Sequence, residues 1–268
     1  MRFNIFENSK YAFLDVVDSN EYVKLETIMP IYDVLKNSVD KPLKMVLLYG
    51  KPGTGKSMLL SKLYEDLHID RKVFLYATPI LDENEFYKLL AQDIFGISYS
   101  GELNFTQFMK VLQKHKTDEI PLILLDEAQL YSDVLMEKIR LLSDTRAIKF
   151  LITLHKTQEE DLIAKEHFQT RIWETIELKN ASHTQLKTYI QKKLMKADCL
   201  ETANMFQTKS IELIYKFTKG NYRDTNKLLF TLFDIYAIYL QKNKKLSTTS
   251  ISKKIIEMSA IHTGFIDA

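Results

Sequence analysis

The chain has 268 residues, of which 46% are hydrophobic and 27% charged, with a formal net charge of +2; these proportions exclude a disordered or fibrous chain and leave room for a core plus a smaller satellite domain. A single cysteine, Cys199, excludes an intrachain disulfide, and the six histidines lack metal-ligand spacing, which argues against a zinc site. The longest apolar stretch, residues 228–240, contains Asp234 and is too short to span a bilayer, while Met1–Asn4 begins no signal peptide, so the expected location is the cytoplasm.

Residues 1–43 read as an N-terminal extension, with a short strand near Glu21–Leu25 and a helix over about 27–38. Met45–Tyr49 is an unbroken apolar run of the kind buried in a parallel sheet. It leads into Gly50-Lys51-Pro52-Gly53-Thr54-Gly55-Lys56-Ser57, which fits the P-loop pattern G-x-x-x-x-G-K-[ST] and holds three of the seven glycines. Met58, Leu59, Leu60 and Leu63 then recur at helical spacing. Small residues let successive backbone N–H groups curl around phosphate oxygens, and the helix start adds the positive end of its dipole. Binding of a nucleoside triphosphate by Gly50 through Met58 follows, with Lys56 on the β- and γ-phosphates and the Ser57 hydroxyl on Mg²⁺.

A second strand is predicted over Lys72–Ala77, then helices near 82–95 and 104–116. Pro121–Leu125 is a third buried strand, and it ends in two acids, Asp126 and Glu127. Adjacent carboxylates at the edge of a buried strand are costly without a partner, and Mg²⁺ supplies one. Asp126 would hold the metal and Glu127 would polarise the attacking water. A helix over about 131–143, a fourth strand over Lys149–Leu154, a short helix near 158–165 and a fifth strand over Ile172–Leu178 complete the pattern. Strands alternating with helices predict an α/β fold, a five-stranded parallel sheet with helices on both faces. From Ser182 onward only helical periodicity remains, over about 183–196, 209–217, 222–241 and 249–261.

Composition changes at the same place. Residues 179–268 hold 15 Lys+Arg and 7 Asp+Glu, against 22 and 28 in residues 1–178, and all five prolines fall in the first half. The predicted division is an extension over 1–43, a nucleotide-binding core over 44–178 and a helical domain over 179–268. Lys192-Lys193, Lys242-Lys244-Lys245 and Lys253-Lys254 offer a surface for nucleic acid or other anions, or a solvated helical face.

Asp126-Glu127-Ala128-Gln129, followed by Glu137-Lys138-Ile139-Arg140-Leu141-Leu142-Ser143, resembles the D-E-A-Q…E-x-I-R-x-L-S run of AAA+ ATPases. Within them the chain is similar to the subgroup typified by general secretion pathway protein A and pilus-assembly ATPases, whose Asn-Pro Thr78-Pro79 resembles. The resemblance covers about Phe13 to Arg223 and implies a P-loop αβα core with a C-terminal α-helical lid. It also implies site residues. A sensor 1 group ends the fourth strand, where His155 is the choice and Thr153 the reserve. An arginine finger precedes the fifth strand, where Arg171 stands in Gln169-Thr170-Arg171-Ile172. A sensor 2 arginine opens a lid helix, where Arg223 stands in Gly220-Asn221-Tyr222-Arg223 and would contact the γ-phosphate. By position alone, Thr78 would hold Glu127 in check, and Tyr22 and Val23 would flank the adenine.

The resulting expectation is an ATPase that uses ATP and Mg²⁺, works as a homo-oligomeric ring and drives remodelling or assembly of a partner complex. The resemblance implies a protein partner in a membrane-associated assembly, such as a secretion, pilus or DNA-uptake machine, placing the chain in the cytoplasm or at the periphery of the inner membrane. The alternatives are a nucleic-acid-linked AAA+ regulator and a nucleotide-gated switch with little turnover.

Overall fold

The apolar runs that alternate with helical segments pair into one parallel sheet. Its strands are β1 (Met45–Gly50), β2 (Val73–Tyr76), β3 (Leu122–Leu125), β4 (Lys149–His155) and β5 (Ile172–Leu178), in the order β2-β3-β4-β1-β5. This computed structural model describes residues 5–41, 44–115, 119–155, 172–242 and 249–267. Helices among the described residues are, in chain order, α1 (Ile5–Tyr11), α2 (Met29–Asp40), α3 (Lys56–Leu67), α4 (Glu83–Phe95), α5 (Phe105–Lys114) and α6 (Asp133–Asp144). After β5 come α7 (His183–Lys196), α8 (Leu200–Asn204), α9 (Thr208–Thr218), α10 (Tyr222–Lys242) and α11 (Lys253–Thr263). The expected helix near 158–165 lies outside the described residues.

The residues form two units, each with its own apolar core. One holds Pro30–Lys51 and Lys56–Leu178, hence the whole sheet. Its strands read as continuous hydrophobic runs because helices cover both faces, and Leu122–Leu125 is buried at every position. Side-chain caps fix where its helices begin: Asp82 accepts from Glu85 N–H, Asn104 and Gln107 form a reciprocal capping box, and Ser132 accepts from Leu135 N–H. The Glu137–Ser143 run carries an ion pair internal to α6. Arg140 Nε donates to both Glu137 carboxylate oxygens at 2.9 Å, and Nη1 to Asp144 at 2.8 Å.

The other unit holds Met1–Met29, Pro52–Gly55 and Lys179–Ala268. The stretch expected as one extension over 1–43 is thus divided between the units at Met29. The cause is aromatic: Phe6 of α1 and Phe13 are buried and meet α10, Phe6 lying 4.5 Å from Tyr236 and Phe13 5.8 Å from Phe233 between ring centroids. Burying each phenylalanine contributes about 1.5–3 kcal/mol. The strand expected near Glu21–Leu25 does not form; Ser19–Glu21 is a 3₁₀ turn and residues 22–25 join no ladder. Lysines of α7 take up the carbonyls a neighbouring strand would have used. Lys192 Nζ donates to Lys24 O at 2.8 Å, and Lys196 Nζ to Asn20 O and Tyr22 O. Lys193, 5% exposed, pairs with Glu21 at 3.3 Å, and burial holds its pKa below the usual lysine range. Lys192 and Lys193 are therefore internal tethers rather than part of a free basic face, while Lys244 and Lys245 lie outside the described residues. No helix among the described residues is long and apolar enough to cross a membrane.

Candidate nucleotide site

In the sheet unit, β4 runs between β3 and β1, so three strands deliver their carboxyl ends to one edge. Gly50 at the end of β1 is in register with His155 at the end of β4, and Leu125 of β3 with Ile152. Crevices outside the carboxyl ends of parallel strands are where such folds bind ligands. Lys56 opens α3 and is only 4% exposed; its Nζ donates to Gly50 O at 2.9 Å and Lys51 O at 3.0 Å. A buried ammonium is thereby held over the start of the loop. Ser57 and Met58 follow on the first turn of α3, both half-buried.

Asp126 continues the β3 ladder, donating its N–H to Tyr76 O at 3.1 Å. Its side chain is 5% exposed, and Oδ1 accepts from the Thr153 hydroxyl and, at 3.0 Å, from Glu127 N–H. Thr153 is fully buried in β4, and its Oγ1 also accepts from Glu127 N–H at 3.0 Å. Glu127 sits in the left-handed region, φ 50° and ψ 44°. For a residue with a side chain that costs about 1–3 kcal/mol, and it persists where the surroundings over-determine it. Here two acceptors hold its N–H. Beyond it, Gln129 Nε2 lies 3.2 Å from His155 Nδ1, Gln129 Oε1 accepts from His155 N–H at 3.4 Å, and His155 Nε2 stands 3.8 Å from Glu127 Oε1.

The loop tip, Pro52–Gly55, belongs to the helical unit, where the start of α10 holds it. Tyr222 and Arg223 N–H donate to Gly53 O at 3.1 and 3.4 Å, and Asn221 Nδ2 donates to Pro52 O at 2.7 Å. Gly53 has φ +77°, and a Cβ there would stand 2.2 Å from Asn221 Oδ1, so any other residue would be strained and would have to displace Asn221. Thr54 is buried and Gly55 half-buried. Arg223 Nε pairs with Asp15 at 3.1 Å, both side chains more than half exposed.

The sheet unit thus brings together Gly50, Lys51, Lys56, Ser57, Asp126, Glu127 and His155, while Pro52, Gly53, Thr54, Gly55 and Arg223 lie in the helical unit. Arg171 lies outside the described residues. Three residues gain contacts that sequence reasoning did not assign: Thr153 on Asp126, Gln129 on His155, and Asn221 on the loop tip. Only Thr153 leaves a signal, a hydroxyl within an otherwise apolar buried strand that must find a partner.

Thr153→Val keeps the shape of the side chain and removes the hydroxyl. Asp126 Oδ1 then loses a buried donor, which costs about 1–3 kcal/mol of stability. Urea unfolding reads this loss, and Thr153→Ser should recover most of it; a Thr153→Val protein as stable as wild type would show that the bond contributes nothing.

The donor set fits a nucleotide with a hard cation: a buried ammonium and a hydroxyl at the start of α3, and a carboxylate just after β3 at the carboxyl edge of the same sheet. Residues 40–162 match the family described as an AAA domain. No curated protein matches. Among solved structures the chain is similar to Cdc6p from Pyrobaculum aerophilum, with 15% identity and a TM-score of 0.66 over 95% of this chain and 71% of that one. It is similar also to the Aeropyrum pernix ORC1 protein solved in complex with DNA, at 14% identity and a TM-score of 0.62, covering 94% and 69%. A third is the Thermotoga maritima RuvB Holliday junction branch migration motor, at 16% identity and a TM-score of 0.56, covering 92% and 72%. The chain therefore has the P-loop AAA+ fold, a five-stranded parallel sheet with a C-terminal helical region, and its residues 40–162 match the AAA domain family.

Proposed function

We propose that the chain binds ATP with Mg²⁺ and hydrolyses its terminal phosphoanhydride bond. The observation that carries this reading is the placement of Lys56, Asp126 and Glu127 at one sheet edge, with the Thr153 hydroxyl donating to the Asp126 carboxylate and accepting from Glu127 N–H. Lys56 faces the β- and γ-phosphates. The Ser57 hydroxyl and Asp126 would hold the cation, which would supply positive charge against the phosphate oxygens. Glu127 accepts a proton from the water that attacks the γ-phosphorus. Arg223 is the sensor 2 group toward the γ-phosphate. An ATPase assay with and without Mg²⁺ tests the reading; binding without turnover would leave a nucleotide-gated switch.

Arg171 is proposed as a finger supplied to a neighbouring copy in a ring, where its guanidinium would stabilise charge on the transferring phosphoryl group. ATPase activity per subunit should then rise with protein concentration. Arg171→Ala should bind ATP normally and hydrolyse it about 10³-fold more slowly or worse. Mixing it with Glu127→Gln protein should restore activity, since an intact Glu127 site can borrow Arg171 from its neighbour. Activity independent of concentration, with no rescue on mixing, would point to a monomeric enzyme.

For the partner we favour a nucleic-acid-linked machine. One of the similar structures was solved in complex with DNA and another is described as a Holliday junction branch migration motor, and residues 179–268 carry an excess of lysine. A DNA affinity that falls steeply with salt supports this reading. A second reading, a protein partner in a secretion or pilus assembly, rests on the resemblance of Thr78-Pro79 to that subgroup's Asn-Pro. Absence of DNA binding at low salt would favour it.

A further inference from the structure

We propose that the groove between α9 and the start of α11 docks an acidic segment of a partner protein, seating an apolar side chain between two carboxylates. The groove lies wholly within the helical unit, so its use does not depend on the chain being a hydrolase.

One stripe of α9 builds the first wall. Lys209, Glu212, Leu213 and Lys216 stand at i, i+3, i+4 and i+7, which places them on one helix face over two turns. At the α-helical rise the two lysines are about 10 Å apart along the axis. Half-buried Leu213 lies between them. Lys253, in the first turn of α11, supplies a third ammonium from the opposite wall. Buried Ile251 and Ile256 complete an apolar floor, and the cavity so enclosed is about 450 Å³.

The walls are strapped together before anything binds. Ile251 N–H donates to Met205 O at 3.1 Å, and Ser210 Oγ donates to Ile251 O at 3.4 Å. A preformed groove spares an occupant the cost of ordering it.

Its positive charge is not spent inside the protein. Lys209 and Lys216 are exposed and pair with no other described residue. Lys253 has Glu257 one turn on at 3.5 Å, an exposed pair of the kind that contributes little. Three ammonium groups thus stand against one lining carboxylate, Glu212, and with Glu257 counted the balance stays positive. The positive end of the α11 dipole adds to them, since Ser252 caps that helix with no side-chain bond.

The floor decides between a polypeptide and a nucleic acid. A duplex presents phosphates on a convex backbone and has nothing to seat on Leu213 and the isoleucines. Single strands bind on aromatic platforms, and among the described residues no aromatic side chain lines this groove. A helix with acids at i and i+7 and leucine between them repeats the α9 spacing with the charge reversed, and apolar grooves take amphipathic helices in this way.

The test uses the full chain and a fluorescent peptide of about 18 residues, long enough to hold a helix, with Glu at i and i+7 and Leu between. Anisotropy should show binding, and a control peptide with Gln in place of both Glu should bind about tenfold more weakly. Lys209→Glu combined with Lys216→Glu should weaken the acidic peptide at least about tenfold, because each exposed pair carries a factor of roughly two to five and reversal turns attraction into repulsion. Glu212→Lys should tighten it about two- to fivefold. All three side chains are exposed, and an unchanged Tm shows that the variants fold. Carbodiimide, which joins a carboxylate to an amine in contact with it, should link the peptide to Lys209, Lys216 or Lys253. No binding, binding indifferent to the charge reversals, or links spread over other lysines would overturn the proposal. So would a short DNA duplex weakened by the double reversal as much as the peptide is, since the lysines would then serve phosphate.

Discussion

Lys56→Ala should bind Mg-ATP at least about a hundredfold more weakly than wild type. The Lys56 ammonium is buried and oriented by Gly50 O and Lys51 O, the two carbonyls that begin the phosphate loop. Each charge-assisted hydrogen bond to phosphate contributes about 1.5–3 kcal/mol, so loss of two lowers affinity by about 10²–10⁴-fold. Lys56→Arg should not restore binding, because a planar guanidinium does not fit a seat made for a compact ammonium. Calorimetric titration reads the effect, with thermal unfolding alongside to show that the variant is folded. Unchanged affinity in a folded Lys56→Ala protein would remove the phosphate-loop assignment.

The sheet is legible in the sequence because strands covered on both faces are written as unbroken apolar runs, and Met45–Leu48 and Leu122–Leu125 are buried throughout. The loop between Gly50 and Ser57 is legible because glycine is scarce elsewhere and its spacing has one mechanical use. The N-terminal region is not. Glu21–Leu25 carries Tyr22, Val23 and Leu25, a composition that suits a strand, yet lysine side chains of α7 satisfy its carbonyls, and nothing local announces that. Nor does the sequence place Phe6 against Tyr236, a contact that spans almost the whole chain. α1 and α8 are short, and periodicity over seven and five residues is too brief to separate from a loop.

The same limit applies to the candidate site. Asp126 and Glu127 stand out as two acids after an apolar strand, but the left-handed backbone of Glu127 is a property of the fold. Leucine positions around Thr153 mark β4 as buried, and a hydroxyl inside such a strand requires a partner. Which partner follows only from the strand order, since β4 must lie beside β3 for Thr153 to reach Asp126. His155 is visible as a polar strand end, whereas its coupling to Gln129 depends on the 3₁₀ turn that follows Glu127.

Glu127→Gln should separate binding from chemistry. Glutamine keeps the length and shape of glutamate, and the bonds that hold this residue use its backbone N–H, to Asp126 and Thr153, so the left-handed turn is retained. Asp126, Ser57 and Lys56 are untouched, and Mg-ATP affinity should stay within about threefold of wild type. The amide cannot accept the proton of the attacking water, and loss of a general base typically costs about 10²–10⁴-fold. The expected protein therefore holds ATP without turning it over. Asp126→Asn provides the contrast: it removes charge from the cation site, so Mg²⁺ dependence of ATP binding should weaken along with turnover. Single-turnover hydrolysis and calorimetric binding together distinguish the two. Wild-type turnover by Glu127→Gln would take Glu127 out of the reaction, and equal loss of ATP binding in both variants would make it a ligand-holding residue instead.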